Sequence, residues 1–262
     1  MRAIFVLLAL ALALVGCATA KASIRSQDVI VVGVKADQPG LGLRKNGVLQ
    51  GFEVDVGGYI ARRLGASHVT FREVRSDDRE QLLNQHAVDL VLASYSITPD
   101  RARLVHFGGP YYVAHQDVMV RRSETRVQSV RDLAGRKMCQ ASGSVSTERV
   151  VVGLSIAARL VPGSSYSDCV AKLRSGTVDA ISTGDLVLAG FAAPDLRIVN
   201  APFTDERYGV GMRKDDADGC EAVNRAITTM YQDGTAGRLL DKWFGKSGLT
   251  LVREVPEFEG CA

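Results

Sequence analysis

The stretch Val88-Asp89-Leu90-Val91-Leu92-Ala93-Ser94-Tyr95-Ser96-Ile97-Thr98-Pro99-Asp100-Arg101 joins a buried strand to polar side chains. The apolar run predicts a strand over 88–93, with Ser94 and Ser96 at its carboxyl end. Open α/β sheets bind ligands just beyond that edge. Arg101 adds a planar fork of donors that fits a carboxylate. The segment therefore indicates capture of a carboxylate, as in a free amino acid, although a strand, a turn and a solvated arginine would fit it equally well.

The first residues have the pattern of an export signal. Arg2 is followed by an apolar run over 3–15, which is too short to span a bilayer and is typical of a secretory signal core. Leu14-Val15-Gly16-Cys17 resembles a bacterial lipobox, whose cysteine is lipidated and becomes the new amino terminus. We therefore expect a signal peptide over 1–16, a membrane anchor through lipid on Cys17 and a tether over 17–28. Ordinary secretion with a free Cys17 is the alternative.

The charge pattern and the histidines exclude two kinds of partner. The formal net charge is +3 in 262 residues, with acidic and basic residues mixed throughout, so no basic stripe for nucleic acid is present. No C-x-x-C occurs in the sequence, and its four histidines lack the i, i+4 spacing of metal ligands. We expect no metal, no other cofactor and no nucleic-acid partner.

Four cysteines remain after Cys17, namely Cys139, Cys169, Cys220 and Cys261. An even number in an exported protein predicts disulfide bonds. Counting alone leaves all three possible connectivities open.

Strand and helix patterns alternate along the chain, which predicts a parallel sheet. Strands are expected over 29–34 and 68–74, and helices over 51–64 and 79–85. Further along the chain, residues 107–112 are expected to be irregular.

A second α/β unit follows. Extended chain is predicted over 117–121, and small residues over 142–146 precede a helix whose first N–H groups suit an anion. The segments 83–89 and 173–179 share the pattern Leu-x4-Val-Asp. Two lobes of similar local topology would produce this echo, as would coincidence.

Six motifs in order resemble the family 3 bacterial solute-binding proteins, the amino-acid receptors of ABC importers. They are Gly51-Phe52-Glu53-Val54-Asp55, Val88-Asp89-Leu90, Ile97-Thr98-Pro99-Asp100-Arg101, Pro110-Tyr111-Tyr112, Asp132-Leu133-Ala134-Gly135 and Lys242-Trp243-Phe244-Gly245. The resemblance extends from about residue 29 to residue 245.

The resemblance implies an α/β fold of two Rossmann-like lobes joined by a two-strand hinge, of the periplasmic-binding-protein type II. We place lobe one at 29–116 plus 215–248 and lobe two at 117–214, with hinge strands near 117–121 and 208–214 and a carboxyl-terminal tail over 249–262. Disulfides Cys139–Cys169 and Cys220–Cys261 would then each lie within one lobe, which favours this pairing.

The resemblance also assigns ligand contacts. Arg101 matches the arginine that grips the α-carboxylate, while Ser94 and Ser96 match residues that contact the α-carboxylate and the α-ammonium. Ser144 matches a lobe-two hydroxyl that meets the α-carboxylate. Where the family commonly has an aspartate for the α-ammonium, this chain has Gly184, followed by Asp185. We expect Asp185, after a local shift, or water and backbone carbonyls to substitute.

The residues for the ligand side chain resemble those of receptors for acidic amino acids. Ser76 and Arg79 match the Ser-x-x-Arg that reaches the distal carboxylate, and Tyr166 lies near a position that also approaches it. Lys35 follows the first strand, where a glutamate/aspartate-binding relative has a basic residue. Lys35, Arg79 and Arg101 in one cleft would complement a dianion and repel a cation, although Lys35 and Arg79 would also fit a solvated surface.

These resemblances predict a monomeric, lipid-anchored, extracytoplasmic receptor that binds L-glutamate and/or L-aspartate and delivers it to an ABC importer permease. The sequence does not separate these ligands from asparagine or glutamine. One alternative is a sensor that reports ligand occupancy to a membrane signalling partner. Another is an enzyme similar to cyclohexadienyl dehydratase, for which His115, Asp37 and Asp185 are the available acids and bases.

Overall fold

A computed structural model describes residues 23–261. The predicted signal peptide and lipidated Cys17 lie outside this range and stay predictions. The last part of the predicted tether, which is described, packs on the body of the protein. Ile24 is buried there, and its backbone N–H donates to Asp216 Oδ2 at 2.7 Å.

The described chain contains β-strands and α-helices that alternate along much of the sequence. The strands are β1 (Val29–Val34), β2 (Asp37–Gln38), β3 (Gly42–Lys45), β4 (Val48–Gln50), β5 (His68–Glu73), β6 (Leu90–Leu92), β7 (His106–Arg121), β8 (Lys137–Ala141), β9 (Arg159–Gly163), β10 (Ala180–Gly184), β11 (Leu196–Ile198) and β12 (Thr204–Met212). The α-helices are α1 (Phe52–Arg63), α2 (Arg79–Asn84), α3 (Pro99–Ala102), α4 (Ser146–Glu148), α5 (Tyr166–Arg174), α6 (Asp185–Gly190), α7 (Ala217–Gln232) and α8 (Thr235–Phe244).

One mixed sheet carries the fold. Its strand order is β5-β1-β6-β12-β7-β10-β8-β9, and β11 also pairs with β7. Strands β5, β1 and β6 are parallel and form the sheet of lobe one, while β10, β8 and β9 are parallel and form that of lobe two. The fold is therefore the two-lobed α/β architecture that the sequence predicts. A separate antiparallel sheet, β2-β3-β4, belongs to the predicted lobe one.

Two long antiparallel strands connect the lobes. Strand β7 pairs with β12 from Thr204↔Gln116 to Met212↔His106, with one irregularity between Tyr208 and Val210. The prediction that 107–112 is irregular is wrong, because β12 supplies hydrogen-bond partners to this Gly-Gly-Pro stretch. Since the sheet runs through both lobes without a break, the predicted lobe limits stay a prediction.

Helices α1 and α8 pack together within the predicted lobe one. Phe52 and Phe244 are buried, with ring centroids 6.3 Å apart in an edge-on arrangement. Asp55 Oδ2 accepts hydrogen bonds from Lys242 Nζ and from Trp243 Nε1, each at 2.7 Å. The motifs Gly-Phe-Glu-Val-Asp and Lys-Trp-Phe-Gly thus form one contact.

Both predicted disulfide bonds are present. Cys139, on β8, is bonded to Cys169, on α5, and Cys220, on α7, is bonded to Cys261 near the carboxyl terminus. The expected pairing is confirmed.

Candidate functional site

A cleft lies between the lobes beyond the carboxyl end of β6, as the opening sequence stretch predicted. Seven of the nine predicted ligand-binding residues line it. The full lining is Ser76, Arg79, Ser94, Ser96, Arg101, Ser144, Val145, Ser146, Tyr166, Thr183, Glu206 and Tyr208.

Two arginines of lobe one converge in this cleft. Arg101 is 9% exposed and donates from Nη1 to the Ser96 carbonyl at 2.9 Å. Arg79 is 1% exposed and donates from Nη1 to the Ala93 carbonyl at 3.2 Å, while its Nε has no hydrogen-bond partner among the described residues. Burial and the nearby Arg101 charge lower the pKa of Arg79 to about 10. The Arg79 guanidinium therefore remains charged at neutral pH, close to that of Arg101.

An aromatic ring supports both arginines. The guanidinium carbon of Arg79 lies 4.0 Å from the centroid of the Tyr95 ring, and that of Arg101 lies 5.1 Å from it. The Tyr95 hydroxyl donates to Glu80, which also lies 3.9 Å from Arg101 Nε. Stacking on a desolvated ring stabilises a cation, so Tyr95 holds the two planes in place.

A buried carboxylate fixes Ser94. The backbone N–H of Ser94 donates to Glu53 Oε1 at 2.5 Å, and the Tyr111 hydroxyl donates to the same oxygen at 2.6 Å. Ser94 has φ 43°, a left-handed conformation that is uncommon outside glycine. Burial raises the pKa of Glu53. Glu53 is thus a positioning residue that holds Ser94 at the end of the strand.

Lys35 and Ser76 form a pair beside Arg79. Lys35 Nζ donates to Ser76 Oγ at 2.8 Å, and Lys35 is 5% exposed. Lys35 contacts the cleft lining through Ser76 and does not itself line the cleft. Burial, followed by the Arg79 charge, lowers the pKa of Lys35 to about 8. Its charge is therefore close to the point of loss at mildly alkaline pH.

Lobe two contributes hydroxyl groups from the loop before α4 and from α5. Ser144 Oγ lies 2.7 Å from Tyr166 Oη, and Tyr166 donates to Ser146 Oγ at 3.2 Å. The predicted pair Ser144 and Tyr166 is therefore brought together. Helix α4 continues as a π-helical turn, Arg149–Gly153.

Contacts across the cleft join the two lobes. The Gly143 carbonyl accepts from Arg101 Nη2 at 2.8 Å and from Arg79 Nη2 at 3.2 Å. Ser142 Oγ donates to Asp77 Oδ2 at 2.8 Å, and Ser167 Oγ donates to the Asp37 carbonyl at 2.8 Å. The structure is thus a closed arrangement of the lobes.

Asp185 does not belong to the cleft lining. Its Oδ1 accepts from the Leu186 backbone N–H at 2.7 Å, within the first turn of α6. Burial raises the pKa of Asp185 to about 6, while backbone hydrogen bonds from His115 and Leu186 oppose this shift. Its role towards a ligand stays a prediction.

Gly184 has a steric reason that the sequence could not reveal. A Cβ built on Gly184 would overlap Tyr208 Oη, which lies in the space that a side chain there would need. An aspartate is therefore excluded from this position as long as Tyr208 keeps its place.

The sequence profile of the bacterial extracellular solute-binding proteins, family 3, matches residues 30–246. The chain belongs to this family. The solute-binding protein is 39% identical to the glutamate-binding protein GluB of Corynebacterium glutamicum over 86% of this chain and 81% of the relative.

Solved structures agree with the fold. An ancestral arginine-binding protein bound to arginine is similar with a TM-score of 0.77 and 31% identity, covering 84% of this chain and 99% of the other. The ancestral amino acid-binding protein AncCDT-1, a precursor of cyclohexadienyl dehydratase, gives a TM-score of 0.76 at 28% identity, covering 83% and 96%. In the described part of this solute-binding protein, no helix is both long enough and apolar enough to cross a bilayer.

Sequence reasoning missed one charged residue of the cleft. Glu206 is 1% exposed and lines the cleft from β12. Its signal was the alternation of side chains along a strand, which puts Glu206 on the same face as Tyr208. Only Tyr208 and the residues after it were predicted as strand, so Glu206 fell outside the pattern.

Proposed function

We propose that this solute-binding protein binds an acidic amino acid, L-glutamate and/or L-aspartate, in the cleft between its lobes. The observation that carries the proposal is the concentration of three cationic side chains, Lys35, Arg79 and Arg101, in and beside one cleft. One α-carboxylate needs one arginine, so a second carboxylate on the ligand accounts for the other two.

Electrostatics favours a dianion over the other amino acids. Two like charges 4 Å apart repel by about 4 kcal/mol at an effective dielectric constant of about 20. A cationic ligand side chain beside Arg79 and Lys35 would meet this repulsion twice. The named glutamate specificity of GluB supports the same conclusion.

Each carboxylate then has its own donors. Arg101 and Ser144 would hold the α-carboxylate, and Ser94 and Ser96 would contact the α-carboxylate and the α-ammonium. For the distal carboxylate, the residues would be Arg79, Ser76, Lys35 and Tyr166. A buried carboxylate without donors is costly, and each of the two ligand carboxylates would have donors of its own.

Binding would be coupled to closure of the lobes about β7 and β12, a hinge motion of the kind that two-lobed binding proteins use. The receptor would be extracytoplasmic, anchored through lipid on Cys17, and would deliver its ligand to the permease of an ABC importer. A role as the ligand sensor of a membrane signalling partner would use the same closure. Recovery of a sensor and no permease on co-purification in mild detergent would favour that role.

Isothermal titration of the purified protein with the twenty amino acids tests the specificity. We expect the tightest binding for L-glutamate or L-aspartate. Tight binding of neutral or basic amino acids, with none for the acidic pair, would refute the proposal.

Two arginine variants test whether Arg79 binds the distal carboxylate of the ligand. Arg79→Met retains most of the buried volume but removes the charge, and we expect it to weaken the acidic ligand by at least about 30-fold, because a buried carboxylate is left unpaired. The matched control is Arg72→Met, which removes an exposed arginine of β5. Equal affinities in the two variants would contradict the assignment.

An eliminating enzyme would need an acid or base within reach of its substrate. The three residues that the sequence offers for this purpose, His115, Asp37 and Asp185, are not part of the cleft lining among the described residues. Product formation from prephenate or arogenate would contradict a binding role without chemistry.

A further inference from the structure

Glu206 has a buried carboxylate for which the proposed ligand contacts give no role. It is 1% exposed, and neither of its carboxylate oxygens accepts a hydrogen bond among the described residues. It lies opposite Ala114 on β7 and faces the cleft between the lobes. Burying a carboxylate is unfavourable unless it is paired and hydrogen-bonded. We therefore expect a cationic hydrogen-bond donor to bind Glu206 in the cleft.

Among the described residues, Arg149 forms an ion pair with Glu206. Arg149 Nε forms an ion pair with Glu206 Oε1, but the two groups are not aligned for a hydrogen bond. The Arg149 side chain is 34% exposed, whereas that of Glu206 is 2% exposed. Arg149 therefore offsets part of the charge from the solvent side at Oε1, while Oε2 has no partner among the described residues.

Tyr208, which shares β12 with Glu206, occupies the space beside Gly184. Tyr208 Oη lies where a side chain at Gly184 would lie, and this excludes an acid at that position. Glu206 and Tyr208 are two residues apart on one strand, so their side chains point to the same face. Strand β12 thus carries both Tyr208, which excludes an acidic side chain at position 184, and Glu206, which places an acidic side chain in the cleft.

We propose that Glu206 binds the α-ammonium group of the amino-acid ligand. The inference rests on the proposed function, in which the ligand is a free amino acid with its α-carboxylate on Arg101. An ammonium has three N–H donors and one positive charge, which suits a buried carboxylate whose oxygens accept no aligned hydrogen bond from the described residues. Asp185 is the less suitable acid, because its Oδ1 already accepts from Leu186 N–H and it does not line the cleft.

The experiment compares a ligand that has the ammonium with one that lacks it. Affinities for L-glutamate and for glutarate are measured in the full chain and in Glu206→Gln. We expect the preference for L-glutamate over glutarate to fall by at least about tenfold in Glu206→Gln, because a charged pair is replaced by a neutral acceptor. The affinity for glutarate should stay the same or rise, since it loses a repelling carboxylate.

Two further variants separate this role from a structural one. Asp205→Asn makes the same charge change on the adjacent, exposed residue of β12 and should leave the preference as it is. If Glu206 served only as the partner of Arg149, Glu206→Gln and Arg149→Gln would weaken both ligands equally, and the proposal would be overturned. Loss of the preference in Asp185→Asn and not in Glu206→Gln would overturn it as well.

A second pair of ligands distinguishes failure of the proposed acidic specificity from failure of the proposed role of Glu206. L-Glutamine and its deaminated analogue, glutaramate, are titrated in parallel. If L-glutamine binds and L-glutamate does not, the acidic specificity fails, while the ratio between L-glutamine and glutaramate still decides the role of Glu206. Equal ratios in the wild type and in Glu206→Gln would refute that role with either ligand.

Discussion

Lys35 is the cation of the cleft whose charge changes nearest to neutral pH. Burial and the Arg79 charge lower its pKa to about 8. A ligand carboxylate favours the protonated amine, so binding takes up a proton once the pH exceeds that value. We expect the affinity for L-glutamate to be constant below about pH 7.5 and to fall by up to about tenfold per pH unit above about pH 8.

Titration calorimetry between about pH 7 and about pH 9 in buffers of different ionisation enthalpy measures this proton uptake. This range stays above the raised pKa of Asp185, about 6, and below that of Arg79, about 10. Lys35→Met should bind more weakly, and its affinity should not depend on pH in this way. The same pH dependence in both proteins would exclude Lys35 as its source.

The positions of the cleft residues could be predicted where a local motif carries them. Ser94, Ser96 and Arg101 follow a strand, and Ser76 and Arg79 have a fixed spacing, so their arrival in one cleft follows from the sheet. Glu206 could not be found in this way, because its role depends on the Tyr208 ring filling the space at Gly184. That relation joins two strands that are distant in sequence.

Secondary structure was predictable where the hydrophobic pattern was strong, as in β1 and α1. The hairpin β3–β4 was missed, although Asn46-Gly47 is a strong signal for a two-residue turn and both residues have positive φ, 51° and 81°. Residues 107–112 of β7 were predicted to be irregular, because Gly and Pro weaken a local strand signal. Pairing with β12 overrides that local preference.

The carboxyl-terminal segment is tied to lobe one and to the connecting strands. Cys261 is bonded to Cys220, Glu259 N–H donates to the Gly109 carbonyl at 3.2 Å, and Arg207 lies 3.1 Å from Glu259. Removing the disulfide in Cys220→Ser/Cys261→Ser should cost about 2–4 kcal/mol. For a chain of this size we expect the Tm to fall by roughly 4–16 °C.

The matched control for this segment is Cys139→Ser/Cys169→Ser, which removes the bond of lobe two. It should lower the Tm by a similar amount, because its sequence separation of 30 is close to the 41 of the other bond. Limited proteolysis after residue 248 should become faster only without Cys220–Cys261. Equal cleavage in the two variants would show that the disulfide does not hold the segment.

At the scale of the whole molecule, strands β7 and β12 connect the two lobes, and a few polar contacts join them across the cleft. Arg79 and Arg101 take part in both the cleft and the contact with Gly143, so ligand binding and closure share donors. The bond from Ser142 to Asp77 is different, because neither residue lines the cleft among the described residues. It joins the two lobes without contributing to the cleft lining, and is therefore the better place to test whether closure contributes to affinity.

We expect Ser142→Ala to weaken L-glutamate binding without altering any ligand contact. The Ser142 hydroxyl holds the pKa of Asp77 below its usual range, so it donates to the charged carboxylate. A hydrogen bond of this kind contributes about 0.5–1.5 kcal/mol, and the exposure of Asp77 favours the lower end, which corresponds to about a twofold to fivefold loss of affinity.

Ser175→Ala is the control, because the Ser175 hydroxyl bonds only within lobe two among the described residues. Small-angle scattering of the ligand-free variants should give a larger radius of gyration for Ser142→Ala than for Ser175→Ala. Unchanged affinity and scattering would mean that this contact does not stabilise the closed state.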